Sequence, residues 1–143
     1  MRGGVGGMTS SRILVGWLVL LVVAFSNGVV RQVGYARFFS DLAAHQISSA
    51  TGVVALGIAI HLLVRAWPLA SRGQAWRVGL AWFGLTFLFE TGMGIAAGHP
   101  WSRILESYAI WEGRLWPLVL LFVLVAPRLA FALQGAPSAG TRA

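Results

Sequence analysis

The chain contains no cysteine and no lysine, and its 143 residues include only four aspartates and glutamates. Without cysteine there is no disulfide, no thiolate metal site and no catalytic thiol, which excludes several classes of membrane redox enzyme. All eleven basic residues are arginines, which we attribute, with the abundant alanine and glycine, to genome base composition. Gly-x-Ser-x-Gly, phosphate-loop and dinucleotide motifs are missing too, so soluble-enzyme chemistry is not expected.

Long apolar segments fill most of the chain. Hydrophobic residues make up 57% and charged residues 10%, and the mean hydropathy is +0.76. Four apolar runs, at about 13–31, 46–65, 78–97 and 111–133, are each long enough to cross the hydrocarbon core of a bilayer. The sequence therefore predicts an all-α polytopic membrane protein, a bundle of four transmembrane helices.

Two prolines and the chain ends bear on where the predicted spans begin and end. Pro117 suits the first turn of the fourth helix, whereas Pro127 should bend or end it. A cleaved signal peptide is the alternative for the first run, because Ala24 and Ser26 have cleavage-like spacing, but hydrophobicity continues through Val30 and favours a full span. The flanking segments are predicted to be a cytoplasmic leader at 1–12 and a disordered cytoplasmic tail at 134–143.

The arginines are divided unevenly between the two sides of the predicted bundle. Seven lie on the side of the termini (Arg2, Arg12, Arg65, Arg72, Arg77, Arg128 and Arg142) and four on the other (Arg31, Arg37, Arg103 and Arg114). The positive-inside rule then places both termini in the cytoplasm, in one fixed orientation. Because the arginines flank apolar runs, the net charge of +7 indicates the lipid bilayer as partner, and no nucleic acid.

Glu90 is the most informative single residue, because a carboxylate inside a span is expensive and needs a partner or a cavity. It lies about 10 Å inside the outer end of the third helix. Asn27 and Arg31 share a face of the first helix at similar depth, which predicts an Arg31–Glu90 ion pair. The whole candidate polar site, in the outer half of the bundle, comprises Asn27, Arg31, His45, Gln46, Glu90, His99, Glu112 and Arg114.

Two interpretations of this polar site stay open. The side chains could merely tie the four helices together. Alternatively they line a pocket that opens to the periplasm, in which Arg31 or Arg114 holds an anion and Glu90 exchanges a proton. The outer segments 32–44 and 98–110 could form short interfacial helices that cover the site, although interfacial anchoring explains their aromatic residues as well. Four short helices enclose little volume, so a sizeable permeation path needs a homo-oligomer.

The three histidines suggest a haem or metal site, which the spacing argues against. His45 and His61 are sixteen residues apart, about 24 Å along a helix, and cannot share one site. His45 and His99 lie at span ends, where a haem would be half exposed, and no His-x-x-x-His or similar ligand spacing occurs. We therefore expect no cofactor and no metal.

Five short motifs resemble those of an uncharacterised group of small bacterial four-span inner-membrane proteins. They are Asn27-Gly28-x-x-Arg31, Ala44-His45-Gln46-x-Ser48, Phe89-Glu90-x-Gly92, Gly98-His99-x-Trp101 and Gly113-Arg114-Leu115-Trp116-Pro117. The resemblance implies a bacterial inner-membrane location and the same four-span plan, and no activity.

Three functions are consistent with the sequence. The first is binding or transport of a small anion, proton or lipid-like molecule at the outer polar site. The second is a membrane-embedded enzyme that acts on a lipid or polyprenyl phosphate, since arginines, a carboxylate and a histidine could bind phosphate and transfer a proton. The third is an accessory or scaffold subunit of a membrane complex. We favour the first and expect no enzyme.

Overall fold

The structure, a computed structural model, describes residues 7–134, so the first half of the predicted leader and the predicted tail after Gln134 lie outside the described residues; Gln134 itself, assigned to the tail by the prediction, is the last residue of a helix. The helices are α1 (Ser10–Val33), α2 (Asp41–Ala66), α3 (Arg72–Ala96), α4 (Trp101–Glu106) and α5 (Trp116–Gln134), with one-turn 3-10 helices at Tyr35–Arg37 and Ile110–Glu112. All except α4 and the 3-10 turns are long and apolar enough to cross a membrane. The predicted all-α, four-helix multi-pass architecture is confirmed.

Hydroxyl side chains cap the first three long helices. Thr9 accepts a hydrogen bond from the backbone N–H of Arg12, and Ser40 and Ser71 cap α2 and α3 in the same way. Such caps satisfy backbone donors that a helix leaves unpaired in its first turn. Helix α1 therefore begins at Ser10, so its first turn includes three residues of the predicted leader.

The fourth long helix agrees with the prediction at Pro117 and differs from it at its start and at Pro127. Pro117 lies in the first turn, as predicted, but the helix begins at Trp116 rather than near 111, because Gly113 adopts a left-handed conformation with φ of 80°. Pro127 does not end it, since the helix continues to Gln134. Pro127 is fully buried, and packing against neighbouring helices lets a membrane helix tolerate the lost backbone hydrogen bond.

The long helices alternate in direction, as hydrogen bonds at their ends demonstrate. The Gln74 side chain accepts from the backbone N–H of Met8 and Ala70, at 3.2 and 2.8 Å, and donates to the Met8 carbonyl. Gln134 donates to the Val64 carbonyl at 2.9 Å. The start of α1, the α2–α3 connection and the end of α5 therefore share one end of the bundle, which we call the Gln74 end. The opposite end is the Glu90 end.

In cross-section the helices follow the order α1, α2, α5, α3, and α3 in turn packs against α1. The core is densest towards the Gln74 end, where the largest fully buried side chains are Trp82, Ile60, Val64, Val78 and Pro127. There Trp82 donates its indole N–H to the Ile13 carbonyl at 2.8 Å. Helices α1 and α3 are therefore joined at the Gln74 end.

Asn27 joins α1 to α2 in the other half of the bundle. Its amide donates to the Ser48 carbonyl at 2.7 Å and to the Ser48 hydroxyl at 3.0 Å, and its carbonyl accepts from the Thr51 hydroxyl at 2.9 Å. Hydrogen bonds between membrane helices contribute about 1 kcal/mol each at most sites. This clamp keeps α1 against α2 at the Glu90 end.

The near-isosteric change Asn27→Leu should lower the free energy of unfolding by about 1–2 kcal/mol, because the Ser48 and Thr51 groups lose their partner on α1. Thermal unfolding in detergent measures the loss. Thr51→Val removes only one of the hydrogen bonds and should have a smaller effect. An Asn27→Leu variant as stable as the wild type would show that the clamp contributes nothing.

Candidate functional site

A cavity of about 700 Å³ lies between the four long helices at the Glu90 end. Residues of α1, α2, α3 and α5 form its walls, and α4 contributes Arg103 and Ile104. This volume is within the usual range for small-molecule sites, about 300–1,000 Å³. Most of the lining is apolar, with polar groups concentrated towards the Glu90 end.

The cavity exists because α1 separates from α3 along the bundle. The hydrogen bond and the ring contact that join them farthest along α1 involve Trp17, whose indole N–H donates to Thr86 at 3.2 Å and whose ring meets Phe89 edge to face at 5.8 Å. Beyond Trp17, α1 stays on α2 through Asn27 and Arg31. Beyond Trp17 no hydrogen bond or aromatic pair joins α1 to α3 among the described residues, and the later turns of both helices border the cavity.

Arg31 and His45 form the cationic side of the cavity, with Nη1 of Arg31 3.4 Å from Nδ1 of His45. A guanidinium can only donate, so Nδ1 accepts and a neutral ring carries its proton on Nε2. That Nε2 is buried and has no hydrogen-bond partner among the described residues. Arg31 likewise has no acidic partner in residues 7–134.

Glu90 projects from α3 into the same cavity, where its Oε2 accepts from the indole N–H of Trp116 at 2.7 Å. The predicted Arg31–Glu90 ion pair is therefore wrong. Its physical reason is the separation of α1 from α3, which places Arg31 on His45 of α2 and leaves Glu90 to the start of α5. Within the described part of the chain, the one salt bridge joins Arg114 to Glu106, at 2.5 Å and partly exposed.

Helix α4 covers the Glu90 end of the cavity. Gly98, with φ of 72°, turns the chain back after α3, and Gly94 leaves room for Ile104, whose Cγ1 would lie 3.0 Å from a Cβ there. Tyr108 follows α4 and lines the cavity. Segment 98–110 thus occupies the covering position predicted for it, whereas the 3-10 helix Tyr35–Arg37 does not line the cavity.

Tyr108 adds a neutral hydrogen-bond donor to this site. Its ring packs against Phe87 of α3, with centroids 6.0 Å apart. Burial raises the pKa of Tyr108 above its usual value, and the nearby Glu90 carboxylate raises it further. The hydroxyl therefore keeps its proton at neutral pH.

Six of the eight predicted site residues line the cavity: Asn27, Arg31, His45, Glu90, His99 and Arg114. The other two do not. Gln46 donates to the Gly113 carbonyl at 3.2 Å, and Glu112 is exposed in its 3-10 turn. Further polar lining residues are Ser48, Ser49, Thr86, Thr91, Arg103, Ser107, Tyr108 and Trp116.

The histidines do not assemble a metal site. His61 lies towards the Gln74 end beside Arg65 and Gln134, away from His45 and His99. In residues 7–134, no three His, Asp or Glu side chains are grouped to hold a metal ion.

Comparisons of the chain with protein-family models, with curated proteins and with solved structures each found no match.

Trp116→Phe should lower the free energy of unfolding by about 1–2 kcal/mol, because the Glu90 carboxylate loses its indole donor. Phenylalanine keeps an aromatic ring at this position, so the loss of packing is small. Thermal unfolding measures this change. Trp101→Phe is the matched control, since Trp101 is 61% exposed, and should be neutral. Equal stability of both variants and the wild type would mean that the Trp116–Glu90 hydrogen bond is without energetic effect.

Proposed function

We propose that the protein binds or moves a small anionic or lipid-like molecule in the cavity at the Glu90 end. The observation that carries this proposal is the charge distribution around a cavity of ligand size. Arg31, Arg103 and Arg114 border about 700 Å³ of space, and Glu106 pairs with only one of them. Arginine in a partly enclosed site binds phosphate and carboxylate through parallel N–H donors.

In this proposal Arg31 and Arg114 hold the anionic group. The Nε2–H of His45, which has no acceptor among residues 7–134, donates to the ligand. Glu90 and Trp116 lie beside the ligand, where the carboxylate exchanges a proton or accepts a hydrogen bond. The enzyme and scaffold alternatives stay predictions.

For location, we propose a bacterial inner membrane with the Gln74 end in the cytoplasm and the Glu90 end facing the periplasm. The arginine count of the sequence, seven on the side of the termini and four on the other, supports this orientation. Among the described residues, five arginines belong to the half of the bundle at the Gln74 end and four to the other half, which also holds all four acidic residues. Any oligomer assembles within the bilayer.

A pair of glycine variants tests the proposed function. Gly28 lines the cavity and a Cβ built there meets no atom within 4 Å, so the backbone has room for a side chain and Gly28→Leu adds one at the cavity wall. Gly92 is equally open but does not line the cavity, so Gly92→Leu is the matched control. Neither substitution should prevent folding.

The measurement is thermal unfolding in detergent with inorganic phosphate, glycerol 3-phosphate and a long-chain alkyl phosphate. A ligand at about 100 times its Kd stabilises the native state by about 2.7 kcal/mol. We expect at least one probe to stabilise the wild type and Gly92→Leu but not Gly28→Leu. If no probe shifts the wild type, or if Gly28→Leu responds equally, the proposed binding site is wrong.

A further inference from the structure

We infer that the ligand is an amphiphile: an anionic oxyacid headgroup, phosphate or carboxylate, bound at the Glu90 end, with an alkyl or acyl chain lying between α1 and α3. This inference rests on the proposed function and adds the chain and its route from the membrane. Three observations carry it: an opening in the cavity wall, a polarity gradient along the cavity, and the cavity's depth.

Exposed residues of α1 and α3 border the cavity, and we place an opening between them, which we call the α1–α3 opening. On its α1 edge are Ala24, Phe25 and Gly28, and on its α3 edge are Phe89 and Met93. Phe25 is 73% exposed and Met93 57% exposed although both line the cavity. Phe25 lies within a helix long enough to span a membrane, where exposed side chains face hydrocarbon. We therefore infer that the cavity opens sideways to lipid between these two edges.

Polarity changes from one end of the cavity to the other. The Glu90 end holds Arg31, His45 and Arg114, while the deep end is formed mainly by apolar residues, among them Leu20 and Leu56; the hydroxyl of Thr86 there is already hydrogen-bonded to Trp17 and Trp82. A free inorganic anion would contact only the polar part of the cavity, at the Glu90 end, and would leave the apolar part unoccupied. An alkyl or acyl chain attached to the headgroup would occupy the apolar part, because an apolar chain packs favourably against an apolar lining.

The depth matches one leaflet of a bilayer. Leu20 precedes Arg31 by eleven residues on α1, which is about 16 Å along the helix axis. Half of the hydrocarbon thickness of a bilayer is about 15 Å. An amphiphile held by Arg31 at the headgroup level therefore reaches Leu20 with its chain still parallel to those of neighbouring lipids.

Photolabelling in proteoliposomes tests this inference. The vesicles are phosphatidylcholine with a small fraction of a phosphatidic acid that carries a diazirine in its acyl chain, and a phosphatidylcholine with the same chain is the neutral comparison. Leu20, Leu56 and Val123 line the cavity and are each 4% exposed. Val22 is 65% exposed and Leu88 66% exposed, and neither lines the cavity. Labelled residues are mapped by peptide mass spectrometry.

We expect the phosphatidic acid to label the cavity residues at least about tenfold more than the neutral lipid does, since a hydrogen-bonded charge contributes about 1.5–3 kcal/mol. Gly28→Trp should abolish that labelling, Gly92→Trp should not, and labelling of Val22 and Leu88 should be unchanged in both. Gly28→Leu provides the same comparison with a smaller side chain if Gly28→Trp does not fold.

The outcomes separate this inference from the proposed function. If both lipids label only outward-facing residues, or label the cavity equally, while glycerol 3-phosphate stabilises the protein in a Gly28-dependent way, the ligand is a free anion and the inference is overturned. If neither the lipids nor the soluble phosphates bind, the proposed function fails with it.

Discussion

Gly79→Ala should destabilise the bundle by about 3 kcal/mol, the upper part of the usual range for overpacking a core. A Cβ on Gly79 would overlap the backbone carbonyl oxygen of Leu124 on α5, and the Leu124 carbonyl carbon would lie 3.0 Å away. A backbone atom cannot rotate away as a side chain can, so α3 and α5 must separate. This separation outweighs the roughly 1 kcal/mol by which alanine is the better helix former.

The matched control is Gly84→Ala in the same helix, where a Cβ meets no atom within 4 Å. That variant should be neutral or slightly more stable, because only helix propensity changes. Thermal and denaturant unfolding of the two variants in the same detergent measure the difference. Equal stability of Gly79→Ala and Gly84→Ala would refute close backbone packing of α3 on α5.

Arg31→Gln should weaken binding of the anionic ligand by about thirtyfold, which corresponds to about 2 kcal/mol for a charged hydrogen bond. Glutamine keeps a donor at the site but loses the positive charge and the parallel N–H pair. The affinity for the long-chain alkyl phosphate, from its concentration dependence in thermal unfolding, gives the fold-change. Stability without ligand should fall by no more than about 1 kcal/mol, because Arg31 has no acidic partner in residues 7–134 and the substitution removes only its 3.4 Å hydrogen bond to His45.

Arg37→Gln is the control for the overall positive potential of the Glu90 end. Arg37 is exposed and does not line the cavity, so its substitution should change affinity less than about twofold, since salt screens exposed charges. A similar loss in both variants would mean that a diffuse surface charge attracts the ligand. No loss in either would remove Arg31 from the site.

The number and alternation of the helices were predictable from hydropathy, because a bilayer requires long apolar helices and short connections place neighbouring spans antiparallel. Pro127 was predicted to bend or end its helix on local chemistry alone. It does not end it, because burial among neighbouring helices offsets the missing N–H. Local rules therefore located the spans better than they located the helix ends.

Which residues belong to the candidate site was partly predictable, because their depth along the helices can be read from the sequence. Arg31, His45 and Glu90 stand near one end of their helices and do line one cavity. Their pairing was not predictable, because it depends on which helices are neighbours at that level. The separation of α1 from α3 directs Arg31 to His45 and Glu90 to Trp116.

Three of the eight polar lining residues outside the predicted set lie where the chain folds back over the bundle. Arg103, Ser107 and Tyr108 belong to or follow α4, a helix of six residues without a clear hydropathy signal. Trp116 had one available signal: it stands at the start of the last span, beside Arg114 and Pro117. An indole at that level is a natural donor to a carboxylate inside the membrane.

Native mass spectrometry of the full chain, released gently from its own membranes, tests the central claim most directly, because it weighs the protein together with retained small molecules. We predict that the wild type and Gly92→Trp retain an anionic amphiphile, and that Gly28→Trp, which places an indole at the cavity wall beside the α1–α3 opening, retains none. A wild type that carries no small molecule, or an equal load in Gly28→Trp, would contradict the assignment of the cavity as a binding site.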